Sequence, residues 1–93
     1  MSRKGKPSPL VIDTAEQFIW NFIEEARKDR GYTIPQLCEV IEISHVTYNR
    51  YKKRETSIEL KTLLAILGVL DIRPYFVPKE LDDNDQMHFM DFN

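Results

Sequence analysis

The sequence predicts an all-α fold, four short helices followed by a short extended strand or arm. Three observations predict it. Apolar residues recur at helical spacing in separate stretches. Those stretches open at residues that cap helices: Asp13 with Glu16 three on, Thr33 with Gln36, Ser44, and Thr56 with Glu59. The third is size: ninety-three residues, 42% of them apolar, suit one small domain with a modest helical core.

Residues 1–9, MSRKGKPSP, are basic, polar and broken by Gly5, Pro7 and Pro9, and are read as a disordered arm. Leu10-Val11-Ile12 is read as a short extended apolar piece. The first helix is expected from near Asp13, with Thr14 and Gln17 offering a second capping pair. Its inward stripe is Ala15, Phe18, Ile19, Phe22, Ile23 and Ala26, which leaves Trp20 off the stripe, to cover residues 72–78 or to sit at a dimer contact. Arg27, Lys28 and Arg30 suit the negative end of the helix dipole, and Gly31 suits the position just past the end. The second helix follows from Thr33, with Pro35 tolerated in its first turn and Leu37, Val40 and Ile41 inward. The third spans about 44–53, with Tyr48 and Tyr51 inward. The fourth carries Leu60, Leu63, Leu64 and Leu67 inward and has Gly68 near its end. Ile72-Arg73-Pro74-Tyr75-Phe76-Val77-Pro78, with two prolines among aromatic and β-branched residues, fits only an edge strand or an extended arm.

Charge is unevenly placed. The formal net charge is −2, but residues 80–93 hold five acids and no Lys or Arg, so residues 1–79 carry 13 basic against 10 acidic side chains. A basic body with an acidic tail fits a nucleic-acid partner better than the average does. The single cysteine, Cys38, excludes an internal disulfide and a multi-cysteine zinc site, and is read as a small buried hydrophobe. His45 and His88 lack partner residues at metal-ligand spacing. No phosphate-cradling glycine loop, paired carboxylates or nucleophile signature is present, so neither an enzyme nor a cofactor is expected. No apolar run reaches membrane-spanning length and no secretory leader is read at the start, so a cytoplasmic protein is expected.

Residues 33–51, TIPQLCEVIEISHVTYNRY, carry the chemistry. A short helix with polar residues outward, braced by a helix before it, is how proteins enter the major groove of DNA. Register with Tyr48 and Tyr51 places His45, Val46, Asn49 and Arg50 outward. Arginine can take guanine O6 and N7, asparagine can read adenine, and valine can touch a thymine methyl. Phosphate contacts are expected from Thr33, Ser44 and Thr47 and from the basic run Lys52, Lys53 and Arg54. The plainer alternative is a solvated helix face in a protein-binding module.

Taken together, residues 15–70 resemble the Cro and lambda-repressor-like (XRE-type) helix-turn-helix family. The resemblance is carried by the polar cap Thr33, Leu37-Cys38 inside helix two, Ile43 in the turn, the cap Ser44, helix His45 to Tyr51, and the later Leu67-Gly68-Val69. It implies a small four- to five-helix lambda-repressor-like domain that binds double-stranded DNA, regulates transcription and needs no cofactor. The chain departs from the family pattern at Ile34 (usually Gln), Glu42 (usually Gly), Lys52 (usually acidic) and Arg54 (usually Gly). At Glu42 either a left-handed backbone is strained or the turn differs.

The expected organisation is a basic arm (1–9), a DNA-binding domain (10–71), an extended dimerisation segment (72–79) and an acidic tail (80–93). The 72–78 segment is too apolar to stand alone in water. It can pack on helix one, pair with Leu10-Val11-Ile12, or pair with its copy in a second chain. The last is preferred, with Tyr75, Phe76 and Val77 across a two-fold axis, because a homodimer sets two recognition helices one DNA turn apart. A dimeric repressor is the leading reading. The alternative is an antitoxin-type subunit whose residues 80–93, with Met87, Phe89, Met90 and Phe92, engage a partner protein.

Overall fold

A computed structural model describes residues 8–78. Four helices are formed: α1 (Pro9–Asp29), α2 (Ile34–Ile41), α3 (His45–Lys52) and α4 (Leu60–Val69). No strand is formed among the described residues, and 71–78 continue as irregular chain. The arm up to residue 7 and the tail from residue 79 lie outside the described residues.

α1 starts earlier than the sequence reading placed it. Ser8 is the N-cap, its Oγ accepting from the Val11 N–H at 3.1 Å, and Pro9 occupies the first turn, where its missing N–H costs nothing. Leu10-Val11-Ile12 is therefore helix, not an extended piece. Asp13 and Thr14 lie inside it, where the Thr14 hydroxyl donates to the Leu10 carbonyl at 2.9 Å. The capping box expected at Thr33 is formed in both directions: Thr33 Oγ1 accepts from the Gln36 N–H at 3.1 Å, and Gln36 Oε1 from the Thr33 N–H at 2.8 Å. The box expected at Thr56 and Glu59 is not formed. α4 opens with Glu59 as N-cap and no side-chain cap bond. The half-buried Ile58 is anchored on the core just before it.

The four helices end alike. At each end the chain passes through a left-handed residue: Gly31 (φ 80°), Glu42 (φ 63°), Arg54 (φ 62°) and Asp71 (φ 60°). The next N–H then reaches back to a carbonyl in the last turn: Tyr32 to Arg27 at 3.0 Å, Ile43 to Cys38 at 3.1 Å, Glu55 to Arg50 at 2.9 Å and Ile72 to Leu67 at 2.8 Å. This 6→1 bond is the Schellman arrangement, and it satisfies carbonyls that the helix leaves open. Glu42 and Arg54, two of the departures from the family pattern, thus keep the backbone that glycine normally supplies there.

The core joins all four helices: Trp20, Ile23 and Ala26 from α1, Leu37 and Cys38 from α2, Tyr48 from α3, and Ile66 and, just past α4, Leu70. α1 is rotated from the expected stripe. Trp20 is 4% exposed, whereas Phe18 and Phe22 are about half exposed. The indole edge meets the Tyr48 ring, centroids 5.5 Å apart at 88°, a favoured T-shaped contact. Val40 on α2, and Leu60 and Leu64 on α4, are likewise exposed; Leu63 and Leu67 pack against the core as expected, and Ile66 and, just past α4, Leu70 are fully buried. Arg30 Nε donates to the Leu70 carbonyl at 2.9 Å and ties the end of α1 to the end of α4.

Candidate nucleic-acid interface

α3 is short, and its position is set from both ends and from beneath. At its start Ser44 Oγ accepts from the Thr47 N–H at 3.0 Å and donates to Thr47 Oγ1 at 2.9 Å. At its end Lys53 is the C-cap, with N–H bonds to the Asn49 and Tyr51 carbonyls. Beneath it, Tyr48 is fully buried and Tyr51 half-buried. Eight residues make little more than two turns, so burying position 48 turns the opposite side to solvent. Val46 and Arg50 are exposed there, His45 is exposed in the first turn, and Asn49 is half-buried. The Asn49 amide nitrogen donates to the His45 carbonyl at 3.0 Å, which ties it to the helix, and its oxygen remains an acceptor. Thr33 and Ser44 are exposed, each serving as a helix cap, and Thr47 is half-buried.

A polar cluster under α3 locks it to α1. Glu24 receives three donors: Arg27 Nε at 3.2 Å, Arg27 Nη2 at 2.8 Å and the Tyr48 hydroxyl at 2.7 Å. Lys52 Nζ stands 3.6 Å from the same carboxylate. Arg27, 8% exposed, spends Nη1 on the Tyr32 carbonyl at 2.6 Å. Burial alone would raise the Glu24 pKa. The hydrogen bonds from Arg27 and Tyr48 and the charges of Arg27 and Lys52 outweigh it and hold the carboxyl below its ordinary value. Burial, reinforced by the bond to Glu24, pushes the Tyr48 phenol far up, so it remains a neutral donor. The Arg27 pKa is raised, chiefly by its bond to Glu24. Burial also raises the Cys38 thiol, which is in keeping with a packing role.

The six expected phosphate contacts are thus not equivalent. Lys53 is exposed and makes no ion pair with a described residue. Lys52 is drawn to Glu24. Arg54 is paired with Asp13, Nε to Oδ1 at 2.8 Å, and donates Nη1 to the Lys52 carbonyl at 2.9 Å. Sequence reasoning missed Asp13, Glu24 and Arg27 as partners of this region. The i,i+3 spacing of Glu24 and Arg27 is a visible signal, but the bond from the Tyr48 hydroxyl to Glu24 spans 24 residues of chain.

Tyr75, Phe76 and Val77 are 79%, 91% and 46% exposed, unpaired with either Leu10-Val11-Ile12 or one another in any ladder. Among the described residues no cluster of three metal-ligating side chains occurs, and no helix is long and apolar enough to cross a membrane.

A family model described as helix-turn-helix matches residues 23–77, more than half of the chain. The match starts in the second half of α1 and runs through α2, α3 and α4 into the extended segment. No curated protein and no solved structure matches the chain.

Proposed function

The chain belongs to the XRE, or lambda-repressor-like, family of helix-turn-helix DNA-binding regulators, and from that membership we propose that it is a sequence-specific repressor acting as a homodimer on double-stranded DNA. The observation that carries this reading is the outward face of α3. Val46 and Arg50 stand exposed opposite the fully buried Tyr48, and His45 is exposed in the first turn, on a helix fixed at its start by the Ser44 cap. Those three and the Asn49 oxygen would read base edges in the major groove. Thr33, Ser44, Thr47 and Lys53 would hold the phosphates on either side. Tyr75, Phe76 and Val77 support the dimer. Large apolar side chains left this exposed mark an interaction surface, and a two-fold pair would present two α3 helices to a palindromic site.

Selection of bound duplexes from a random pool would give the recognised sequence. Against that sequence, Arg50→Ala is expected to cost about 1–3 kcal/mol and to relax preference at one base position. Lys53→Ala is expected to weaken all sequences alike and to shallow the salt dependence. A wild-type protein that retards no duplex at low salt would end this reading.

A further inference from the structure

The two carboxylates of α1 that meet the basic run at the end of α3 lie on one side of their helix. Asp13 and Glu24 are eleven residues apart, about three helical turns. Asp13 holds Arg54 at 2.8 Å, and Glu24, already bonded by Arg27 and Tyr48, also has Lys52 Nζ at 3.6 Å. Both cations are partly withdrawn from solvent, Lys52 with 31% and Arg54 with 23% of the side chain exposed. The Arg54 guanidinium is anchored twice, because it also donates to the Lys52 carbonyl. Lys53, between them, is exposed.

We propose that Asp13 and Glu24 are intramolecular stand-ins for phosphate, holding Arg54 and Lys52 off the DNA backbone and so setting how many cations the protein commits to sequence-independent binding. The inference rests on the DNA-binding reading. A cation released to a phosphate displaces a condensed counterion, and each such contact steepens log K against log[salt] by about 0.9. A cation already neutralised by a protein carboxylate adds no such contact. The chain would then hold less tightly to bulk DNA than its Lys-Lys-Arg run implies, and would depend more on the α3 face.

The test is a double-mutant cycle read in salt dependence, on a duplex of arbitrary sequence and on the selected site. Asp13→Ala is expected to raise affinity severalfold at low salt for both duplexes and to steepen the slope by about 0.9. Arg54→Gln in the wild-type background is expected to leave the slope nearly unchanged. In the Asp13→Ala background it should return the slope to the wild-type value. Glu24→Gln, which keeps an acceptor for Tyr48, should steepen the slope in the same way through Lys52. Melting temperatures measured alongside separate these effects from loss of fold, and the exposed Asp13–Arg54 pair should shift them by only a few degrees. An unchanged slope in Asp13→Ala overturns the proposal. So does an equal loss on Arg54→Gln in both backgrounds, which would mean that Arg54 already contacts phosphate. So does a gain that persists in the double variant, which would reflect removal of the Asp13 charge alone. If wild type binds no duplex, both readings fall; if it binds and the cycle is flat, only this one does.

Discussion

The segment Thr33–Lys53 and the segment Asp71–Pro78 are built on opposite principles. In the first, helix starts are capped by side chains and helix ends by backbone, and the largest ring, Tyr48, is fully buried with its hydroxyl paired. In the second, the largest rings face water and no ladder is made. The first is complete within one chain. The second carries apolar surface that the other described residues do not cover. The difference teaches where packing within the described chain stops: α3 is fixed by its caps and by the contacts of Tyr48, whereas the apolar side chains of 75–77 are left outside the core.

The sharpest way to test that contrast is to truncate one aromatic on each side of it. Trp20→Ala removes a 4%-exposed ring from the core and from its contact with Tyr48, and should cost about 3–5 kcal/mol, most of the stability of a small domain. Phe76→Ala removes a 91%-exposed ring and should change monomer stability by less than about 0.5 kcal/mol. Phe76→Ala should nevertheless weaken self-association, seen by light scattering over a dilution series. Urea midpoints for the two variants check the first half. A wild-type protein that remains monomeric at tens of micromolar would remove the dimer assigned to Tyr75, Phe76 and Val77.

A smaller effect separates α3's support from its surface. Glu24→Gln should destabilise by about 2 kcal/mol at neutral pH, because it weakens the charged bonds to Arg27 and Tyr48. The sign with pH follows from the depressed folded-state pKa of Glu24. The unfolded carboxyl titrates near 4.5, so the stabilisation is fully present above that value and is lost as pH falls through the lower folded value. The gap between wild type and Glu24→Gln in urea melts should therefore be flat from pH 7 to about 5.5 and close at more acid pH. A gap that stays constant down to pH 2.5 would mean that the charge on Glu24 contributes nothing.

The parts of this fold that could be read from sequence are those decided within a few residues. Thr33 with Gln36, Ser44 with Thr47, and Gly31 past the end of α1 act on neighbours three or four positions away, and these boundaries stand where the sequence put them. The rotation of α1 could not be read. Phe18 and Phe22 satisfy helical spacing as well as Trp20 does, and periodicity alone does not rank them. Their order goes with Glu24, which accepts from the Tyr48 hydroxyl and so faces α3, as Trp20 four residues before it does, while the two phenylalanines lie outward. Non-local pairs, Lys52 with Glu24 and Arg54 with Asp13, likewise set those two apart from Lys53, three residues that the sequence presents as one basic run.

The smallest expected effect probes the turn that joins α2 to α3. Glu42 sits at φ 63° and ψ 46°, a left-handed conformation that crowds its Cβ against the backbone. Its side chain is exposed and makes no ion pair with a described residue, so truncation removes little besides that strain. The Ile43 N–H to Cys38 carbonyl bond is made by the backbone and remains. Glycine adds freedom to the unfolded chain, which offsets part of the relief. Glu42→Gly should therefore stabilise by about 0.5–1 kcal/mol, read as a higher urea midpoint with an unchanged slope. Arg54→Gly is the informative contrast. It relieves the same strain at φ 62° but forfeits the pair with Asp13 and the bond to the Lys52 carbonyl, so its net gain should be smaller than that of Glu42→Gly. Equal gains at both positions would show that the Asp13–Arg54 pair adds no stability, and a loss at Glu42 would show that the left-handed turn there is not strained.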